Sequence, residues 1–440
     1  MHPLNIELNK QEWRNFVKIF AILFAYASAL YMVFPVLTAY ETQINTANGE
    51  PANYMLIGLA LGIFGLSYAL CLTPVRKLSE KIGRKAVIQL GLVLLIISSL
   101  VATISDSIYI LILARALQGC CALGCILLTL IAENTRPELQ LKITMHAEEA
   151  FRSALTFALV IGPFLEIFVG LQGIFLASAI IATGVLLWTT LATNKSNCKD
   201  THGYHQEKVA TLLTKFDKQQ FMIMLLGTGT LHAMLAALFF IVPIMLRNLG
   251  IPHPSIVWQL CLFTSVGSIL FAKLFLFKSQ ETKNMRLVCW AHIGLMLLAA
   301  TGLWLRSVEY IWLWIGLLGC LIMFQFLEAK LQELMNLLAP SWHDYINSME
   351  IYFKAQAIGL FIGATIAGII YQSFDAFGIQ AVLLVCMAFA SVWFGIVWLL
   401  PFNQQNRFMI KLLHHFEKED AEYRVKIEAA IAARAAENRA

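Results

Sequence analysis

Long stretches of this chain carry almost no polar side chain, and the short stretches between them carry little else. Apolar runs long enough for a helix to cross a bilayer, roughly 20 residues, fall near residues 13–40, 53–75, 86–104, 108–132, 145–169 and 172–193. Six more fall near 219–247, 255–278, 286–305, 310–338, 350–373 and 377–400. The pattern predicts about twelve transmembrane helices, divided by one long polar connector, Asn194 to Gln219. Hydropathy is similar on its two sides. That predicts a six-helix bundle over residues 1–193, a cytoplasmic linker over 194–218 and a second six-helix bundle over 219–402. Residues 403–440 turn polar, with an apolar stripe at Ile410, Leu413, Phe416 and Tyr423. They predict an amphipathic helical tail that lies on the membrane surface or docks a protein partner.

Composition removes the soluble classes. Hydrophobic residues make up 59% and charged residues 13%, with a mean hydropathy of +0.71; a soluble domain carries roughly twice that charge. The net charge of +5 is confined to membrane-flanking segments, so no nucleic-acid partner is expected. Lys and Arg cluster in Arg76 to Lys85, at Arg136 and Lys142, in Lys195 to Lys218 and in Lys278 to Arg286. The alternate connections hold little beyond Arg247 and Arg306. Positive charge stays cytoplasmic, so both termini are expected there; the connection Pro340 to Asn347 breaks the pattern by having neither residue type. The first apolar run is too long for a cleaved signal and reads as a retained helix. The cysteines lie mostly inside apolar runs and read as packing residues, so no metal or cofactor is expected. No Gly-Lys-Ser/Thr phosphate loop, HExxH or Cys-x-x-Cys occurs, which argues against ATP-driven transport and against an enzyme.

The second run ends in LSEKIGRK, where Arg76, Lys77, Lys81, Arg84 and Lys85 surround Glu80 in a basic loop. This resembles the loop between helices 2 and 3 of the major facilitator superfamily, Gly-x-x-x-Asp-Arg/Lys-x-Gly-Arg-Arg/Lys. Lys81, Gly83, Arg84 and Lys85 match; Glu80 replaces Asp and Arg76 replaces Gly. ARALQG in the fourth run resembles that family's second motif and supplies Arg115. In the fifth, ALVIGPFLE resembles its helix 5 signature through Gly162 and Pro163, an expected kink. With VFPVLTAY, IAENTR, LHAMLAALFFIVP and FLEA, the chain resembles YajR-type bacterial drug/proton antiporters over both halves. Where that type carries a C-terminal soluble domain, only the short tail is expected here. The resemblance implies an all-α membrane protein of the major facilitator fold, with two six-helix bundles in a bacterial inner membrane. It would move a small-molecule substrate and protons by alternating access.

The same resemblance places a cytoplasmic gate at Arg76, Glu80, Lys81, Gly83, Arg84, Lys85 and Glu133, with Glu80, Arg84 and Glu133 forming an ion-pair lock. Gly58, Gly62 and Gly65 have a mirror in Gly359, Gly363 and Gly368, and small residues at this spacing let helices approach closely. The fifth run departs from the antiporter pattern with MHAEEAFRSALTF, where Glu148 and Arg152 share a helical face. His232, Lys273, His292, Glu328, Lys330 and Lys354 are further ionisable residues in apolar runs. An acid inside a bilayer is a proton-carrier candidate. Glu328, which matches the acid of the tenth-helix motif, and Glu148 are assigned that role. Arg115, Arg152, Lys354 and His232 are assigned to the substrate cavity, and their positive charge favours an anionic or zwitterionic solute. Three functions stay open: a proton-coupled exporter of a small organic solute, a carrier of an organic anion such as a carboxylate-type siderophore, and a non-transporting scaffold or receptor subunit.

Overall fold

The computed structural model describes residues 9–38, 52–136, 139–192, 215–248, 266–267, 270, 310–337, 342–374 and 377–399. Most of the expected linker, nearly all of the spans at 255–278 and 286–305 with Lys273 and His292, the Lys330 side chain and the 403–440 tail lie outside the described residues.

Regular structure among the described residues is helical throughout. Helix α1, Lys10–Tyr31, opens with a closed capping box. Asn9 Oδ1 accepts from the Gln11 and Glu12 amides, and the Glu12 carboxylate accepts from the Asn9 amide at 2.9 Å. These bonds satisfy N–H groups that a helix start leaves open. Glu12 also accepts from Arg136 Nε at 3.1 Å, which ties the start of α1 to a distant turn.

Helices α2, Tyr54–Ile82, and α3, Arg84–Thr103, correct the expected basic loop. The stretch Arg76 to Lys81 is helical, because Lys, Arg and Glu are good helix formers and Arg76 pairs with Glu80 one turn on at 3.0 Å. One residue, Gly83, separates the two helices at φ 95°, a backbone setting that glycine adopts without strain. The fourth run is divided into α4, Ile108–Gly119, and α5, Gly124–Glu133. The Tyr26 hydroxyl bridges the break: it donates to the Cys121 carbonyl and accepts from the Leu123 amide at 3.1 Å. Interrupted backbone inside a membrane protein needs such partners.

Helix α6, Gln140–Ala192, holds the fifth and sixth runs, joined at Gly170, whose φ of 67° interrupts the helix. The non-helical dihedrals in this helix fall at Gly170, and Pro163 lies inside the helix. Gly162 allows close approach, since a Cβ on it would strike the Met32 carbonyl at the end of α1. Then come α7, Lys215–Asn248, α8, Tyr310–Leu337, α9, Trp342–Phe374, and α10, Gly378–Leu399. Helix α9 starts within the expected connection 340–347, which shortens it to a few residues. Eight segments among the described residues are long and apolar enough to cross a membrane, and they coincide with the first seven predicted runs and the eleventh.

Helix α9 is the central strut, packed on α2 on one side and on α7 on the other. A Cβ at Gly58 would lie 2.5 Å from the Ala364 carbonyl oxygen, and one at Gly62 would lie 2.9 Å from that of Phe361. Gly65 meets the Ala357 carbonyl, and Gly368 returns the contact against Gly58 and Tyr54. Gly359 and Gly363 face elsewhere, onto the α7 backbone at Gly229 and Ala233. The expected mirror is thus split between two interfaces.

Candidate functional site

Between the N-terminal helices and α7–α9 lies a cavity walled mainly by aromatic rings. Tyr26, Tyr31 and Phe34 come from the α1 region, Phe64 and Tyr68 from α2, and Phe151 with Arg152 from α6. The facing wall has His232 and Phe239 from α7, Glu328 and Gln332 from α8, and Phe353 and Gln356 from α9. Its water-accessible volume is about 50 Å³, room for a few waters at about 10–15 Å³ each. In this conformation the cavity is too small for an organic molecule of more than a few heavy atoms.

The polar groups of this cavity converge on Glu328. Its Oε1 accepts from Gln356 Nε2 at 3.1 Å and lies 3.7 Å from His232 Nε2. Its Oε2 is buried without a partner, as is Gln332 Oε1 one helical turn along the same wall. His232 Nδ1 is 3.0 Å from the Thr228 carbonyl; a carbonyl only accepts, so Nδ1 carries the hydrogen. In the neutral ring Nε2 then presents a lone pair toward Glu328, so the two side chains can hold one proton between them after a small approach. Arg152, on the opposite wall, is close enough to act on Glu328 electrostatically.

The other expected cavity residues lie off the wall. Glu148 is 1% exposed and sits within electrostatic reach of Cys125 and Tyr352. Arg115 is fully buried behind Phe34 and Phe64, whose ring centroids are each 5.0 Å from its guanidinium carbon. Lys354 belongs to a separate ionic cluster. Its Nζ pairs with Glu350 Oε1 at 2.8 Å and also donates to the Thr73 hydroxyl.

That cluster closes the basic end of the α2–α9 seam. Glu350 accepts from Arg76 Nε and from the Thr73 hydroxyl as well as from Lys354, so two α2 side chains and one from α9 share one carboxylate. The expected lock is rearranged around it. Glu80 pairs with Arg76 rather than Arg84, while Arg84 pairs with Glu133 at 3.2 Å and donates to Ser79 Oγ at 2.6 Å. Lys85 donates to the Thr190 carbonyl at 3.3 Å, Lys81 is exposed, and Gly83 forms the turn. Glu350 escaped the sequence reading, although an acid one turn before Lys354 was a usable signal. At the other end of the seam the Tyr54 amide donates to Gln372 at 2.9 Å, and the Tyr54 and Tyr371 rings meet at 4.5 Å.

Arg76→Gln removes a charge-assisted bond from the nearly buried Glu350. It is expected to weaken the basic end of the seam by roughly 1 kcal/mol. Backbone amides at the ends of α2 and α9 should then exchange with solvent about fivefold faster. Unchanged exchange there would show that Arg76 does not hold the seam.

A family model described as Major Facilitator Superfamily matches residues 19–342. The chain is 30% identical over 368 residues to the inner membrane transport protein YajR of Escherichia coli, covering 83% of this chain and 78% of that one. It is 25% identical over 376 residues to an uncharacterized transporter of Buchnera aphidicola, covering 84% and 93%. Among solved structures, the fold is similar to a bacterial homologue of the human lysosomal transporter Spinster in an inward-facing, unoccupied conformation. The TM-score is 0.67 at 13% identity, over 92% of this chain and 99% of that one. It is also similar to the nucleoside transporter NupG, with a TM-score of 0.61 at 13% identity, over 89% and 99%.

Proposed function

The chain belongs to the major facilitator superfamily and is a multi-pass secondary transporter, and from that premise we propose that it moves a small organic solute by alternating access, coupled to protons and directed outward. The observation that carries the proton coupling is the Glu328–His232 pair: a buried carboxylate with one orphaned oxygen, facing a ring nitrogen at 3.7 Å inside the cavity. Protonation of that carboxylate removes a negative charge from the cavity, so a proton there and a cationic solute held elsewhere in the cavity oppose each other's binding, which is a simple form of exchange. We place the basic end of α2 on the cytoplasmic side of a bacterial inner membrane, with Arg76, Glu80, Arg84, Glu133 and Glu350 as the gate there. Six-helix halves over 1–193 and 219–402 would rock about the cavity; Glu148, buried next to it, is a secondary proton carrier.

A second reading has its own observation. Arg152 faces Glu328 across the cavity. Protonating Glu328 removes one negative charge that faces Arg152, so proton and organic anion favour each other's binding. A carboxylate-type siderophore is one such anion. The discriminating experiment is pH-gradient-driven flux in liposomes holding the purified chain, offered cationic drugs, organic acids and siderophores. Cation flux against the proton gradient supports exchange, and anion-selective flux that Arg152→Gln abolishes supports the second reading. No flux from folded protein would refute both and favour a scaffold with a docking tail at 403–440.

A further inference from the structure

We infer that Arg115 is a concealed oxyanion-binding group of the cavity, screened by Phe34 and Phe64, and that it takes the carboxylate of a planar, apolar organic acid. The inference rests on the reading of the cavity as a solute site. Arg115 Nη1 donates to Gln118 Oε1 at 2.6 Å. The Gln118 amide nitrogen donates in turn to Ser99 Oγ at 3.0 Å, Ser99 Oγ lies 3.4 Å from Ser178 Oγ, and Ser178 donates to the Ala29 carbonyl at 2.7 Å. This chain of bonds fixes which end of the Gln118 amide faces Arg115, so Nη1 is committed. Nε and Nη2 are buried without a partner. They lie along one edge of the guanidinium, side by side, the spacing that grips both oxygens of one carboxylate.

Arg115 makes no ion pair among the described residues, and its charge is fully buried. The two rings that flank it stabilise a cation through their faces but leave that edge unused. Both rings also line the cavity, meeting edge to face at 5.5 Å and 86°. Rotation of either ring would uncover the fork, and the apolar body of the solute would then lie against the remaining aromatic wall. A cationic solute would be repelled from this corner, and a small hydrophilic anion would gain nothing from the rings.

The test compares 1-naphthoate with its uncharged isostere 1-naphthamide by calorimetry on the full chain in detergent. The wild type should prefer naphthoate by about tenfold or more. Arg115→Lys keeps the charge but loses the fork and should cut the preference to below about threefold. Phe34→Leu thins the screen and should raise naphthoate affinity. A preference that survives Arg115→Lys and vanishes in Arg152→Gln overturns the inference, as does no preference in the wild type. Should Arg115→Lys fail to fold, phenylglyoxal labelling of the unsubstituted chain decides. Naphthoate, and not naphthamide, should protect Arg115 from modification; equal labelling with both overturns the inference. Neither measurement needs a gradient, so protein that binds in this way yet carries no flux would keep the subsite and lose the transport reading.

Discussion

Glu328→Gln should abolish gradient-driven solute movement while leaving the folded protein and its solute exchange in place. The substitution is close to isosteric, and the new amide oxygen can still accept from Gln356, which now bonds Oε1 at 3.1 Å. Core volume is therefore kept, and volume-conserving changes are tolerated well. What disappears is the ability to gain and lose a proton. The measurement has two arms on the same liposomes: flux driven by an imposed pH gradient, and counterflow of labelled against unlabelled solute with no gradient. The first should fall to background and the second should persist. If both persist, protons do not pass through Glu328. If both fall, Glu328 binds solute and the coupling reading loses its support.

Gly65→Val should be the most disruptive change along the α2–α9 seam. A Cβ at that position falls on the Ala357 carbonyl, which is rigid helix backbone and cannot swing aside. The helices must part, at a cost of roughly 1–3 kcal/mol for overpacking a tight contact. A lower midpoint of thermal unfolding and strongly reduced flux are expected together. Gly184→Val is the matched control, because nothing lies within 4 Å of a Cβ placed there. Equal damage from the two would mean that close approach at Gly65 is not what matters.

Much of this fold was legible because bilayer thickness imposes run lengths that hydropathy registers directly. The ends of the runs were less legible. Arg76 to Lys81 look like a loop when charge alone is weighed, yet these residues sustain the helix to Ile82. The break between α4 and α5 has no proline to announce it and depends on Tyr26, about a hundred residues away in sequence. Site residues followed the same division. Glu328, His232 and Arg152 meet on one cavity, as ionisable residues in apolar helices often do. Lys354 carried the same signal and sits in the ionic cluster instead, because a helical position fixes depth and facing only when the neighbouring helix is known. Glu350 and Gln356 drew no attention for that reason: their meaning comes from Arg76 on another helix and Glu328 on a third.

Helix α2 spans 29 residues, about 43 Å. It touches α9 through Tyr54 at one end, through the glycines further along and through Arg76 at the other end. Because both tips and the glycines between them are in contact at once, the seam is shut along its whole length, and water can pass between these two helices only after at least one of the three sets of contacts has parted.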